Sequence, residues 1–97
     1  MLLEAREGST LTVVDKSIFL LGGVNQKMVQ DVSKFDITNM EWQKFDISMA
    51  TDAFPRFNHT CVAYKHNLYI FGGEKIDGSF FHTRVCLNDI KVLDLRK

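Results

Sequence analysis

Phe54-Pro55-Arg56-Phe57-Asn58-His59-Thr60-Cys61-Val62-Ala63-Tyr64-Lys65-His66-Asn67-Leu68-Tyr69-Ile70-Phe71-Gly72-Gly73 decides how the rest of the chain is read. The stretch holds two short strands joined by a tight turn. An Arg and a His-Thr pair lead into the first strand, and an aromatic and aliphatic run closed by a double glycine forms the second. A weaker copy stands earlier: Arg6-Glu7-Gly8-Ser9-Thr10-Leu11-Thr12-Val13-Val14-Asp15-Lys16-Ser17-Ile18-Phe19-Leu20-Leu21-Gly22-Gly23. Arg6 and Arg56 lie 50 residues apart, as do Gly22 and Gly72, so the chain is written twice.

Each copy continues outward from its glycines. In the first, Leu11, Val13 and Val14 among threonines suit a strand, because β-branched side chains pack well on a pleated surface. Asp15-Lys16-Ser17 is a polar turn, and Ile18-Phe19-Leu20-Leu21 reads as a strand buried on both faces. Val32, Phe35 and Ile37 mark a third strand, Thr38-Asn39 a turn, and Trp42 opens a fourth. Strands are expected at about 9–15, 17–22, 31–37 and 42–47, then at about 57–65, 67–72 and 88–95. Residues 1–50 and 51–97 thus form two units, the second lacking a fourth strand. Asp89 answers Asp31, but eight extra residues separate it from its glycines, making 74–87 a long loop. The expected fold is all-β, a partial β-propeller of four-stranded antiparallel blades, because a period of about 50 residues with short strands fits a propeller better than a helical solenoid.

Composition narrows the function classes. Hydrophobic residues make up 45% and charged residues 25%, which is the ordinary globular range and argues against disorder. Twelve basic side chains balance twelve acidic ones, so the total charge offers no attraction to nucleic acid or an anionic membrane. The longest apolar run, Ile18 to Leu21, falls far short of the roughly 18 residues of a membrane span. Met1-Leu2-Leu3 runs straight into Glu4, Arg6 and Glu7, which leaves no signal-like apolar core. Cys61 and Cys86 do not have the spacing of a zinc or redox pair, and a reduced, cytoplasmic setting is expected.

The double glycines, the aspartate-led third strands and Trp42 together resemble kelch repeats, over nearly the whole chain. The resemblance rests on Gly22, Gly23, Phe35 and Trp42 in the first copy and on Gly72 and Gly73 in the second, which also carries the Arg-x-x-His-Thr lead-in through Arg56, His59 and Thr60. Ser9 stands where that lead-in would place a histidine, and Leu93 replaces the usual aromatic. The resemblance implies kelch-type blades and partner binding at one rim of the propeller. Two incomplete blades cannot close a ring of about four to eight. The remaining blades are therefore expected either in cis or from further copies of the chain in trans.

Strand directions put the loop 48–55 and the insertion 74–87 on one rim. The expected partner-binding residues are Arg56, Asp77, Phe80, Phe81 and Arg84, since aromatic rings and guanidinium groups are enriched at interface hot spots. Each has a structural alternative: Phe80 and Phe81 could fold back over the blade edge, and Arg56 could bond loop carbonyls. Gly22, Gly23, Trp42, His59, Thr60, Gly72 and Gly73 are expected to build the blades, with His59 and Thr60 buried. His66 belongs to a solvated turn. Asp36, Asp46, Asp89 and Asp94 border strands, where capping a turn is the ordinary role. Glu74, Asp77 and His82 offer metal-ligand chemistry only in principle. No catalytic residue, metal or cofactor is expected. The function read from the sequence is a protein-interaction module, with an enzyme fragment whose active site lies on the same rim as the alternative.

Overall fold

The computed structural model describes residues 3–26, 29, 31–45, 55–76 and 83–96. Among them every regular element is a strand. The first sheet has the order β1 (Thr10–Val14), β2 (Ser17–Leu21), β3 (Val32–Asp36), β4 (Glu41–Phe45), all antiparallel. The second has the order β5 (Thr60–Tyr64), β6 (Asn67–Phe71), β9 (Ile90–Asp94), and a separate hairpin pairs β7 (Glu74–Ile76) with β8 (Arg84–Cys86). Asp46 and Ile47, expected at the end of the fourth strand, lie outside the described residues.

Turn chemistry explains the meander. Val14 faces Ser17 and Tyr64 faces Asn67, so each first hairpin closes on two residues. Such turns need a left-handed residue, supplied by Asp15 at φ 53° and Lys65 at φ 56°. Between β3 and β4 the Asp36 carboxylate accepts from the Thr38 amide at 2.8 Å, and its carbonyl accepts from Met40 at 2.8 Å. Asp94 repeats the first of these bonds with the Arg96 amide at 2.9 Å, as short polar side chains at turn starts do. The strand leading in from Phe57 is broken at Asn58, whose φ is 58°, so β5 starts only at Thr60.

Alternation decides which residues meet. From the pairing, Thr10, Thr12, Phe19, Leu21, Val32 and Phe45 share one face of the first sheet. Cys61, Leu68, Ile70 and Leu93 share one face of the second. The two faces close on each other, with Phe19, Leu21, Val32, Leu68, Ile70 and Leu93 as the core and Phe45 edge-on to Phe19 at 5.4 Å. Burying one such side chain stabilises by about 1.5–3 kcal/mol, against roughly 1 kcal/mol for a net hydrogen bond. Apolar contact therefore holds the sheets together, and polar groups set how they are aligned. Leu20 and Phe35 belong to the other face of the first sheet, where Phe35 packs on Trp42 at 5.1 Å.

The outward faces are apolar too. Leu11 and Val13 are exposed on the first sheet, and Val62, Tyr64, Phe71, Ile90 and Val92 on the second. By the repeat, each outward face is of the kind that meets its opposite at the seam between the sheets. Such a stack extends by adding sheets at either side.

Candidate functional site

The glycine pairs form the seat on which the strand lead-ins rest. Gly22 has φ 73°, and a Cβ there would stand 2.4 Å from the Arg56 carbonyl oxygen and 2.5 Å from His59 Cε1. Gly73 has φ 86°, and a Cβ would meet the Phe57 carbonyl at 2.5 Å. Only glycine permits both the left-handed backbone and that approach. The sheets are stitched here by Gly23 donating to the Arg56 carbonyl at 2.9 Å and Asn58 donating to the Gly8 carbonyl at 2.8 Å. His59 Nε2 lies 2.8 Å from Thr10 Oγ1 across the same seam.

Arg56 is only 3% exposed. Its Nη1 donates to the Gly72 carbonyl at 3.0 Å and to Asp89 Oδ1 at 2.9 Å, and its Nη2 donates to Asp89 Oδ2 at 3.1 Å. This two-pronged bond to Arg56 holds the Asp89 carboxyl below its usual range. Two expectations are corrected. Arg56 points into the blade rather than toward a partner, because the glycine carbonyl and the carboxylate satisfy its fixed fork of donors from within. Asp89 closes this ion pair rather than a turn.

His59 is buried as expected, and its pKa is lowered to about 4 by burial first, then by the Arg56 guanidinium. Nδ1 makes no hydrogen bond of standard geometry, though the Leu21 carbonyl exerts a weaker opposing pull. Burial likewise pushes the Cys61 thiol up, against the Thr12 and Thr10 hydroxyls. Thr60, expected to be buried, is exposed. It repeats Thr10, whose partner is the histidine of the following copy.

The insertion, expected to be a loop, is a hairpin at both of its ends. Glu74 exchanges two backbone bonds with Phe57, at 2.8 and 3.0 Å, which anchors β7 to the lead-in of β5. Leu87 donates to the Gly73 carbonyl at 2.8 Å, so in the ladder of β7 and β8 the bonded pairs are Gly73 with Leu87 and Lys75 with Val85. By the same alternation Arg84 and Cys86 turn their N–H and C=O groups away from β7, onto the outer edge of β8. All three residues of β8 are exposed.

Side chains consolidate the base of the hairpin. Asn58 Nδ2 donates to Glu74 Oε2 at 3.0 Å, Arg84 Nη1 lies 3.8 Å from Glu74 Oε1, and the Arg84 guanidinium stands 5.4 Å from the centre of the buried Phe57 ring. Arg84 is thus oriented by a ring and a carboxylate yet reaches solvent, the disposition of a residue that can take a second anion. Asp77, Phe80, Phe81 and His82 lie outside the described residues. Sequence reading missed Asn58 and weighed Glu74 only as a metal ligand in principle; the signal for both was a polar residue beside a landmark of the repeat. Among the described residues no cluster of His, Cys, Asp and Glu is placed to hold a metal, and no helix is long and apolar enough to cross a membrane.

Antiparallel sheets stacked face to face, with the glycine pair of the first under the lead-in of the second, are the arrangement of blades in a β-propeller. Comparison with known families agrees: the KLHDC2/KLHL20/DRC7 Kelch-repeats domain matches residues 2–97. The chain belongs to the Kelch-repeat family, whose members generally serve as protein-interaction modules. It is similar to Acyl-CoA-binding domain-containing protein 5 of Arabidopsis thaliana, 33% identical over 95% of the chain and 13% of that protein. It also resembles tRNA wybutosine-synthesizing protein 2/3/4 of Oryza sativa subsp. japonica, 36% identical over 75% of the chain and 7% of that protein. Kelch domain-containing protein 3 of Homo sapiens is 28% identical over 95% of the chain and 25% of its own length. The chain therefore spans a quarter or less of each of these relatives.

Proposed function

We propose that these blades bind another protein through the rim built by the β7–β8 hairpin, with no bond made or broken in the partner. The observation that carries this is the outer edge of β8, where among the described residues no further strand pairs with Arg84 and Cys86, beside an oriented guanidinium. An extended partner segment can pair with such an edge and place a carboxylate at Arg84, main-chain bonds giving affinity and the ion pair giving selectivity. Phe80, Phe81 and Asp77 belong to the same insertion and are proposed to complete the contact. The apolar outward faces support further blades, in cis or from other copies, since patches beyond a few hundred Å² mark association surfaces. The balanced charge supports a protein partner over nucleic acid or a membrane. The unpaired thiols of Cys61 and Cys86 support a cytoplasmic setting.

Panning a displayed library of extended nine-residue peptides against the full-length protein tests the reading. Selected peptides are expected to carry a carboxylate, to lose about tenfold or more in affinity with Arg84→Ala, and to slow exchange of the Arg84 and Cys86 amides. Phe80→Ala with Phe81→Ala is expected to weaken binding with melting unchanged. Binding indifferent to Arg84→Ala, with protection appearing elsewhere, defeats the reading.

A further inference from the structure

His59 is a buried base in a setting that offers an added proton only the weak pull of the Leu21 carbonyl. Its ring lies on Gly22, its Nε2 is engaged with the neutral Thr10 hydroxyl, and its Nδ1 has no partner of standard geometry. The charged and titratable groups around it are Arg56 on its own segment, Asp89 ahead of β9, Arg6 on the first sheet and the Cys61 thiol on β5. Asp89 is committed to Arg56, and Arg6 reaches the Gly22 carbonyl at 3.5 Å. β1 adds only the hydroxyls of Thr10 and Thr12. The ring therefore has the Arg56 guanidinium acting on it and, among the described residues, no carboxylate bonded to it.

We propose that His59 makes the seam between the two blades acid-labile: proton uptake by its ring accompanies withdrawal of residues 56–60 from Gly22 and Gly23 and loosens the rim above them. The link to the rim is covalent and short. Asn58, next to the ring, holds Gly8 through its amide and Glu74 through its side chain, and Glu74 in turn orients Arg84. The seam behaves this way whether or not the rim binds a partner.

The sign follows from linkage. In the closed seam the ring titrates at about 4, whereas a ring freed into water returns to 6.5. Between those values the open form binds a proton and the closed form does not, so acid favours opening. From about pH 7.5 to about pH 5 the opening equilibrium should rise on the order of 25-fold. Asp89 protonates only below this window and does not contribute to the change.

Amide exchange measured by NMR on the full-length protein at these two pH values, corrected for intrinsic rates, tests the proposal. The Gly23 and Asn58 amides, which bond across the seam, are expected to lose protection on the order of 25-fold at the lower pH. The Glu7 amide, bonded to the Val24 carbonyl within the first blade at 2.9 Å, serves as control and should change by less than about threefold. His59→Gln retains a partner for Thr10 but cannot titrate, and it should abolish the pH dependence. Should that variant fail to fold, the ring of the unaltered protein is followed directly, and a midpoint near 6.5 overturns the proposal. Unchanged protection of Gly23 and Asn58, or an equal loss at Glu7, also overturns it.

Discussion

In the second blade Arg56 grips both the Gly72 carbonyl and the Asp89 carboxylate, whereas in the first Arg6 lies 3.5 Å from the Gly22 carbonyl and Asp31 faces Lys44 at 3.9 Å on the surface. The two blades nevertheless close the ladder at the same place: Val29 donates to Gly23 at 2.9 Å and Leu87 donates to Gly73 at 2.8 Å. A six-step connection and a fourteen-step one thus meet the same glycine carbonyl. Lengthening a surface connection adds little closure entropy, about 0.6 kcal/mol per doubling. What the longer connection needs is a fixed return point, and the Arg56–Asp89 pair sits where the chain comes back. The comparison teaches that the eight extra residues were accommodated by clamping their exit, leaving the blade itself unchanged and the hairpin available to the rim.

The sharpest way to break that comparison is at the glycines. Gly22→Ala sets a methyl against the Arg56 carbonyl and His59 ring in a left-handed backbone, and it should destabilise by about 3–5 kcal/mol. Gly72→Ala meets its nearest atom, the Leu87 carbonyl, only at 3.2 Å, so it should cost about 1–2 kcal/mol. Urea unfolding of the full-length protein measures both. Equal losses would mean that the seat under the following blade is not what distinguishes the two positions.

Removing the clamps comes next in size. Arg56→Met leaves Asp89 with only the Lys91 ammonium at 3.9 Å and should cost about 2–3 kcal/mol, less than a fully buried pair because the carboxylate is partly exposed. Arg6→Met should cost under about 1 kcal/mol. The same pair sharpens the acid limb of stability. Its folded pKa being depressed, Asp89 contributes stability present above about pH 4 and lost as pH falls through its folded value. Asp89→Asn should remove that increment, of under about 1 kcal/mol, in unfolding followed against pH. The smallest effect lies in the two hairpin turns. Lys65→Gly relieves a left-handed lysine and should stabilise by about 0.5–1 kcal/mol, whereas Asp15→Gly should change little, as Asp tolerates that conformation.

Much of the fold was legible because its signals are short-range. Gly22-Gly23 and Gly72-Gly73 announced left-handed backbone, and all four have positive φ. The run Ile18-Phe19-Leu20-Leu21 announced burial on both faces, and Phe19, Leu20 and Leu21 are buried while Ile18 is half-buried. The direction of the site residues was not legible. An arginine ahead of a strand reads alike whether it meets a partner's carboxylate or its own Asp89, and Thr60 reads as Thr10 does. The hairpin inside 74–87 was missed because its strands are three residues each, too short for alternation to show above loop composition.

What the amino-acid order determined by itself was the blade: turn residues, glycine doublets and alternating apolar positions act over a few residues, where backbone sterics leave few choices. What only the tertiary structure decided was the use of each polar side chain. Arg56, His59 and Asn58 take their roles from groups 16 to 50 residues away, and those partners arrive only when apolar burial has pressed one sheet against the next.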